Sequence, residues 1–204
     1  MKTELLNLMR NRRSIRRYRK DPVQLDKIFK ILEAGRYAPS GANRQPWIYI
    51  LVTDNKLKEE IRKAAEEVER KFHKKAPDQL KKWFEKQKIT PEKSFLTEAP
   101  VLIVVASLTT APYWLESTWI SIAYALLSAE SQSLGTLTYT PSDVIFLNKL
   151  LNIPDYYRPV AILPIGHPAE NPSSETRPRR SLEQIVFQNK YGDCARAKGV
   201  RLIY

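Results

Sequence analysis

The sequence predicts a three-layer sandwich of the α/β or α+β class, with helices covering both faces of a central sheet. Three observations carry this. Short apolar runs rich in β-branched and aromatic residues, "PWIYILVTD", "APVLIVVAS" and "RPVAILPIGHP", alternate with segments of helical periodicity. The run "APVLIVVAS" is apolar at successive positions, so it suits a central strand covered on both faces. The stretch Leu115 to Leu134 has helical length and little charge, which places it in the core or in a subunit interface.

Taken in order, Thr3 to Met9 reads as a short helix leading into a basic stretch. Asp21 as cap and Pro22 at the first helical position open the next helix, where Leu25, Ile28, Phe29, Ile31 and Leu32 recur at helical spacing. Pro39, Ser40 and Gly41 end it in a loop, and the first strand follows. Asn55 to about Lys88 is helical and highly charged, broken by "KKAPDQ" around Pro77. Ala99 to Ser107 is the second strand, Leu115 to Leu134 a long helix, and "GTLTYT" the third strand. Pro141, Ser142 and Asp143 open a helix through "VIFLNKLLNIP", and "RPVAILPIGHP" is the fourth strand. A polar, proline-rich loop from Ala169 to Pro178 precedes a short helix, Leu182 to Asn189. The terminal "GVRLIY" could add a fifth strand.

A chain of 204 residues is one domain with room for a sizeable core. It is 43% hydrophobic and 27% charged, as globular chains are. No run approaches the ~18 apolar residues of a membrane span, and no secretory signal is visible at the N-terminus. The single cysteine, Cys194, has no intramolecular disulfide partner, and the reading is cytoplasmic. Six glycines with abundant Lys, Arg and Glu suit a source living hot. The net charge is +12, which could serve nucleic acid, an anionic surface or an anionic small ligand.

"RNRRSIRRYRK", Arg10 to Lys20, concentrates that charge: seven cations in eleven residues. Arg12, Arg13 and Arg16 surround Ser14, and the planar arginine fork binds phosphate bidentately. Arg179 and Arg180 form a second basic pair far along the chain. The alternatives are a solvated basic surface, a small-molecule phosphate cradle and a nucleic-acid arm. No aromatic interleaving beyond Tyr18, zinc-finger pattern or RNA-recognition signature supports the last. "APSGANRQPW", Ala38 to Trp47, places small residues where backbone could approach a flat ligand. "TYTP", Thr138 to Pro141, sits at a strand end ahead of a helix, where hydroxyls and helix-start N–H groups are available. With His73 and His167 as the only histidines, a His-based triad or multi-His metal site is not expected.

Together "RRSIRRY", "APSGANRQPW", "LPIGHP" and "RPRRSLEQIV" resemble, in order and spacing, the FMN-dependent nitroreductase family, from about Asn11 to Tyr191. The resemblance implies an α+β, three-layer nitroreductase-like fold with a mixed or antiparallel sheet. It implies a single FMN-binding domain over 1–204, with a helical lid at about 60–95 and a C-terminal extension from about 190, exchanged in a homodimer. Arg12, Arg13, Ser14, Ile15 and Arg16 would hold the FMN phosphate and pyrimidine edge. Ser40 and Gly41 would reach the flavin from the other subunit, Pro39 and Asn43 would be further cofactor-binding positions, and Arg179 would complete the phosphate grip. The cradle thereby displaces nucleic acid as the expected partner of the basic stretch.

"TYTP" followed by "FLNKLLNIP" and "LPIGHPAE", with "IRKAAEEVERKFH" and "KSFLTEAPVLIVV" before them, is similar to the iodotyrosine deiodinase branch. That branch implies a lid gripping the amino-acid end of a halotyrosine, which falls here on Glu69, Lys93 and His73. His73 stands where the branch carries tyrosine. Ala42 would offer its N–H to the substrate phenolate. Thr138, Tyr139 and Thr140 would line the flavin, with Thr140 the catalytic hydroxyl beside N5. The other implied activity is a general NAD(P)H-dependent nitro- or quinone reductase on the same fold. The implied partners are a second copy and a small aromatic substrate, with no metal, membrane or nucleic acid.

Overall fold

The structure is a computed structural model that describes residues 2–170 and 179–192. The chain divides into a body, Met1–Pro172, and a C-terminal unit, Ser173–Tyr204.

The body is built on a four-stranded sheet in the order β1-β2-β4-β3, with β1 (Trp47–Val52), β2 (Val101–Leu108), β3 (Gly135–Thr136) and β4 (Tyr157–Gly166). Every strand pair is antiparallel. β2 and β4 are central, and β2 is buried along nearly its whole length, as its unbroken apolar run requires. Its side chains divide between two cores. Leu102, Val104 and Ala106 face one layer; Val101, Ile103 and Val105 face the other. The first core packs against α3 (Asn55–Lys75), α5 (Phe95–Glu98) and α7 (Ile145–Leu150) through Ile61, Ala65, Phe95, Leu96 and Leu147. The second packs against α2 (Leu25–Arg36) and α6 (Trp114–Ser131) through Ile28, Ile31, Ile122, Ala125 and Ala129. The three-layer α+β sandwich is therefore present, with its sheet antiparallel.

α1 (Lys2–Asn11) precedes the basic stretch. The break at Pro77 is real: α3 ends at Lys75, and α4 (Asp78–Lys86) begins beyond it. Asp54 caps α3, its side chain accepting from the Leu57 N–H at 2.7 Å.

Several boundaries differ from expectation. α2 begins at Leu25 with Gln24 as its extended N-cap, so Asp21 and Pro22 lie outside it; Val23 is buried instead, drawing the preceding segment inward. β3 covers only Gly135–Thr136 rather than the six residues of "GTLTYT", and Tyr139 rejoins the sheet by an isolated bridge to Ile162. α7 starts at Ile145, not at Pro141, after the Asp143 carboxylate accepts from the Ile145 N–H at 3.0 Å. The four-residue helix α5 was not expected. In the C-terminal unit, the expected helix Leu182 to Asn189 is a single 3-10 turn, Leu182–Gln184, closed by a Ser181–Gln184 capping box. The "GVRLIY" segment, Cys194 and most of the loop from Ala169 to Pro178 lie outside the described residues.

Candidate active site

The basic stretch does not float free. The Ile15 N–H donates to the Thr136 carbonyl at 2.9 Å, and Ser14 bridges Thr136 in the parallel sense. The Arg19 N–H donates to the His167 carbonyl, and Tyr18 bridges Pro168. Ile15 and Tyr18 are buried, pinning the segment, while Arg12, Arg13 and Ser14 are half-buried and Arg16 is exposed. Gly135 permits this approach: a Cβ there would lie 2.8 Å from Ile15 Cγ1. The pairing brings Arg12–Arg16 beside the strand that continues into Thr138–Thr140. Thr138 is half-buried and Thr140 exposed. The guanidinium groups donate to main-chain carbonyls, Arg12 to Arg13 at 3.3 Å and Arg13 to Arg12 at 3.0 Å. Arg12 and Arg13 also lie near Glu130, whose carboxyl is pushed upward by burial, against the pull of both arginines.

The "PSGAN" loop is folded tightly. Ala42, Asn43 and Gln45 all take left-handed backbone conformations, with φ of 48°, 53° and 45°. Ser40 Oγ accepts from the Gln45 N–H at 2.9 Å, and the Gly41 N–H donates to Ser117 Oγ at 3.3 Å. Gly41 is required by close approach, since a Cβ would come within 2.9 Å of the Tyr113 ring and 3.0 Å of the Pro112 carbonyl. The loop is thus anchored at the start of α6, with Pro39, Ala42 and Asn43 exposed.

The third group lies on the α3 face of the sheet, whose core also takes in Ile15 and Tyr18 of the basic stretch. Glu69 and Lys93 are buried, 8% and 7% exposed, with Lys93 Nζ 4.0 Å from Glu69 Oε2. Glu69 Oε1 accepts from the Ser142 N–H at 3.0 Å and from the Tyr139 hydroxyl at 3.4 Å. Lys93 Nζ donates to the Thr90 carbonyl and stands 5.9 Å from the centre of the Tyr139 ring. Burial pushes the Lys93 ammonium below the ordinary lysine value, opposed by the charge of Glu69. Burial likewise drives the Tyr139 phenol upward, reinforced by the Glu69 charge, so its hydroxyl remains a donor.

Glu69 and Lys93 stand 24 positions apart in sequence, and the fold brings them together. His73 follows Glu69 by one turn, but its ring stacks on Phe84 of α4 at 4.3 Å and 18° between planes. Its described contact thus ties α3 to α4. Tyr139, expected among the flavin-lining residues, turns its side chain to Glu69 and Phe95. Sequence reasoning missed that link, although strand alternation between Thr138, Tyr139 and Thr140 could have signalled it. It also missed the Ser142 N–H, and Glu66 on the same helix face as Glu69. Arg179 is exposed in the C-terminal unit. Among the described residues there is no group of three or more acidic, His or Cys side chains placed to hold a metal.

Residues 9–167 match the model of the nitroreductase family. Iodotyrosine deiodinase of Thermotoga neapolitana is 40% identical over 184 residues, covering 90% of this chain and 96% of that protein. The iodotyrosine deiodinase of Haliscomenobacter hydrossis is 34% identical, covering 82% of this chain and 80% of its own. Among solved structures, oxidized iodotyrosine deiodinase bound to FMN and 3-iodo-L-tyrosine superposes with a TM-score of 0.86 at 37% identity, covering 92% of this chain and all of that one.

Proposed function

The chain belongs to the nitroreductase family, and from that premise we propose that it is an FMN-dependent oxidoreductase of the iodotyrosine deiodinase branch, reductively dehalogenating halotyrosine-like phenols. The observation that carries the reading is the buried Glu69–Lys93 pair at 4.0 Å. A free amino acid is a zwitterion, needing an acceptor for its ammonium and a donor for its carboxylate. Glu69 and Lys93 supply one of each, 4.0 Å apart.

The residues of the basic segment fit an FMN phosphate. Arg12, Arg13 and Arg16 bring three forked cations and Ser14 a hydroxyl to one short stretch pinned against Thr136. Arg179 would join them. Thr138 and Thr140 would follow the flavin edge, with the Thr140 hydroxyl at N5, while the Tyr139 side chain between them turns to Glu69. Bound and reduced, FMN supplies the two electrons that, with a proton, exchange an aryl carbon–halogen bond for carbon–hydrogen and release halide. Around it the chain binds and orients. Glu69 and Lys93 would fix the amino-acid end, with His73 one turn away against Phe84, and the Ala42 N–H, on the loop that serves the second copy's flavin, would meet the phenolate oxygen there.

Pro39, Ser40, Gly41, Ala42 and Asn43 are anchored at α6 and would serve the flavin of a second copy. A homodimer is therefore part of the proposal. It is supported by apolar side chains exposed on α2 and α6, among them Phe29, Trp119, Ile120 and Tyr124. It is supported too by the edge position of β1, where an open groove of about 720 Å³ is lined by Phe29, Trp47 and Tyr49. A cytoplasmic location belongs to the same reading; no helix among the described residues is long and apolar enough to cross a membrane. The second reading, a general nitro- or quinone reductase drawing on NAD(P)H, rests on the family as a whole.

Titration of the FMN-loaded protein with 3-iodotyrosine, followed by quenching of flavin fluorescence, tests the proposal. Saturable quenching that Glu69→Gln and Lys93→Gln both weaken supports it. No quenching, alongside rapid flavin reduction by NAD(P)H and turnover of quinones, supports the second reading instead.

A further inference from the structure

Arg62, Glu66 and Arg70 are spaced four apart on α3, beside Glu69. Such ladders usually contribute little on a solvated helix face. Glu66 is different because it has a partner from another element. Its Oε1 accepts from Arg62 Nε at 2.7 Å and also from the backbone N–H of Lys93 at 2.8 Å. Arg62 in turn donates through Nη1 to Thr97 Oγ1 at 3.0 Å, and the Thr97 hydroxyl donates to the Ser94 carbonyl. Two adjacent turns of one helix thus hold both ends of the segment from Lys93 to Thr97.

The Glu66 side chain is 13% exposed, and burial works against its charge. The Lys93 N–H and Arg62 outweigh that, holding the carboxyl below the ordinary glutamate value and keeping it ionised at neutral pH. The bond goes to the Lys93 main chain, so it orders the segment without consuming the ammonium.

We propose that Glu66 is a positioning residue: it latches the Lys93 segment onto α3, so that Lys93 and Glu69 stand ready as a pair before substrate arrives. This rests on the reading of Glu69 and Lys93 as the grip on a zwitterion. The latch lowers the ordering cost that substrate binding would otherwise carry.

The test uses the FMN-loaded protein with Glu66→Ala and Glu66→Gln. Exchange of the Lys93 amide hydrogen reads the latch directly. Fluorescence titration with 3-iodotyrosine and with 2-iodophenol, which lacks the amino-acid end, reads its consequence. Glu66→Ala is expected to speed Lys93 amide exchange and to weaken iodotyrosine by about tenfold, as loss of a charge-assisted hydrogen bond does, with iodophenol unchanged. Glu66→Gln is expected to recover most of both, since its carboxamide oxygen can still accept from the Lys93 N–H. If the alanine variant fails to fold, Lys93 amide exchange in the unsubstituted, substrate-free protein carries the test: slow exchange is expected, and exchange as fast as in an open loop overturns the proposal. Unchanged exchange in Glu66→Ala, or equal losses for the two ligands, overturns the proposal. An unsubstituted protein that binds both ligands alike defeats the zwitterion reading, and with it the latch's role in substrate binding; the exchange rates then still report whether the segment is latched.

Discussion

The two faces of the sheet are finished in opposite ways. On the α3, α5 and α7 side, charge is taken inside: Lys58, Glu69 and Lys93 are all buried. Lys58 Nζ donates to the Ala99 and Pro100 carbonyls, and the other two meet each other. On the α2 and α6 side, the buried polar groups are small hydroxyls, Ser107, Ser117, Thr118 and Ser121, while large apolar groups face outward. Trp119 is 37% exposed and Tyr124 42%. Burying charge is costly unless it is partnered, and exposing an apolar face is costly unless something covers it. In the proposed reading the first face would meet a charged ligand, and the second another protein surface. The proposed function puts substrate recognition on the lid side and assembly on the α6 side.

The largest expected effect comes from breaking the assembly side. Trp119→Glu combined with Tyr124→Glu places charge on the outer face of α6. Sedimentation should show a single chain in place of a dimer, and the absorbance spectrum should show FMN lost, because the loop from Pro39 to Asn43 no longer reaches a neighbouring flavin. Retention of FMN by a monomer would erase the distinction between the faces.

Glu69→Gln and Lys93→Gln come next. Dimer and FMN should persist, while affinity for 3-iodotyrosine falls by about a hundredfold, the scale of losing one member of a buried ionic contact. Gly135→Ala follows. Its new Cβ would lie 2.8 Å from Ile15 Cγ1 and would push the arginine-bearing segment off the strand. The expected stability loss is about 1–3 kcal/mol, the usual cost of overpacking, read as a lower Tm together with weaker FMN retention. The smallest effect is in pH dependence. The Lys93 ammonium titrates below the ordinary lysine range because burial disfavours its charge. In the proposed role it would grip a carboxylate only while protonated, so its share of iodotyrosine affinity would be lost as pH rises through that lowered pKa. The sign for folding is reversed: the charged, buried lysine costs stability at low pH, and stability recovers between the folded and unfolded values. The ratio of iodotyrosine to iodophenol affinity should therefore fall on the alkaline side, and Lys93→Gln should flatten it.

Much of this architecture is legible in the amino-acid order, for identifiable reasons. The continuous apolar run of β2 and the low charge of α6 are local signals of burial, and Pro77 is a local signal of a break. The arginines around Ser14 and the "PSGAN" loop are contiguous, so motif matching finds them. What escaped depends on distant partners. β3 is short because its neighbours are Ser14 and Ile15, some 120 residues earlier. α2 starts late because Val23 is drawn into a core assembled from β2, β4 and α6. Helical spacing shows that Glu66 and Glu69 share a face, but only the fold shows that Glu66 meets the Lys93 main chain and Glu69 its side chain. The His73–Phe84 stack likewise joins two helices across the break at Pro77.

The most direct test is a fluorescence titration of the purified, unsubstituted protein. The account expects a yellow dimer carrying FMN, whose flavin fluorescence is quenched saturably by 3-iodotyrosine and far less readily by 2-iodophenol. A colourless single chain that refuses added FMN, or a flavoprotein indifferent to the amino-acid end of the ligand, would contradict it.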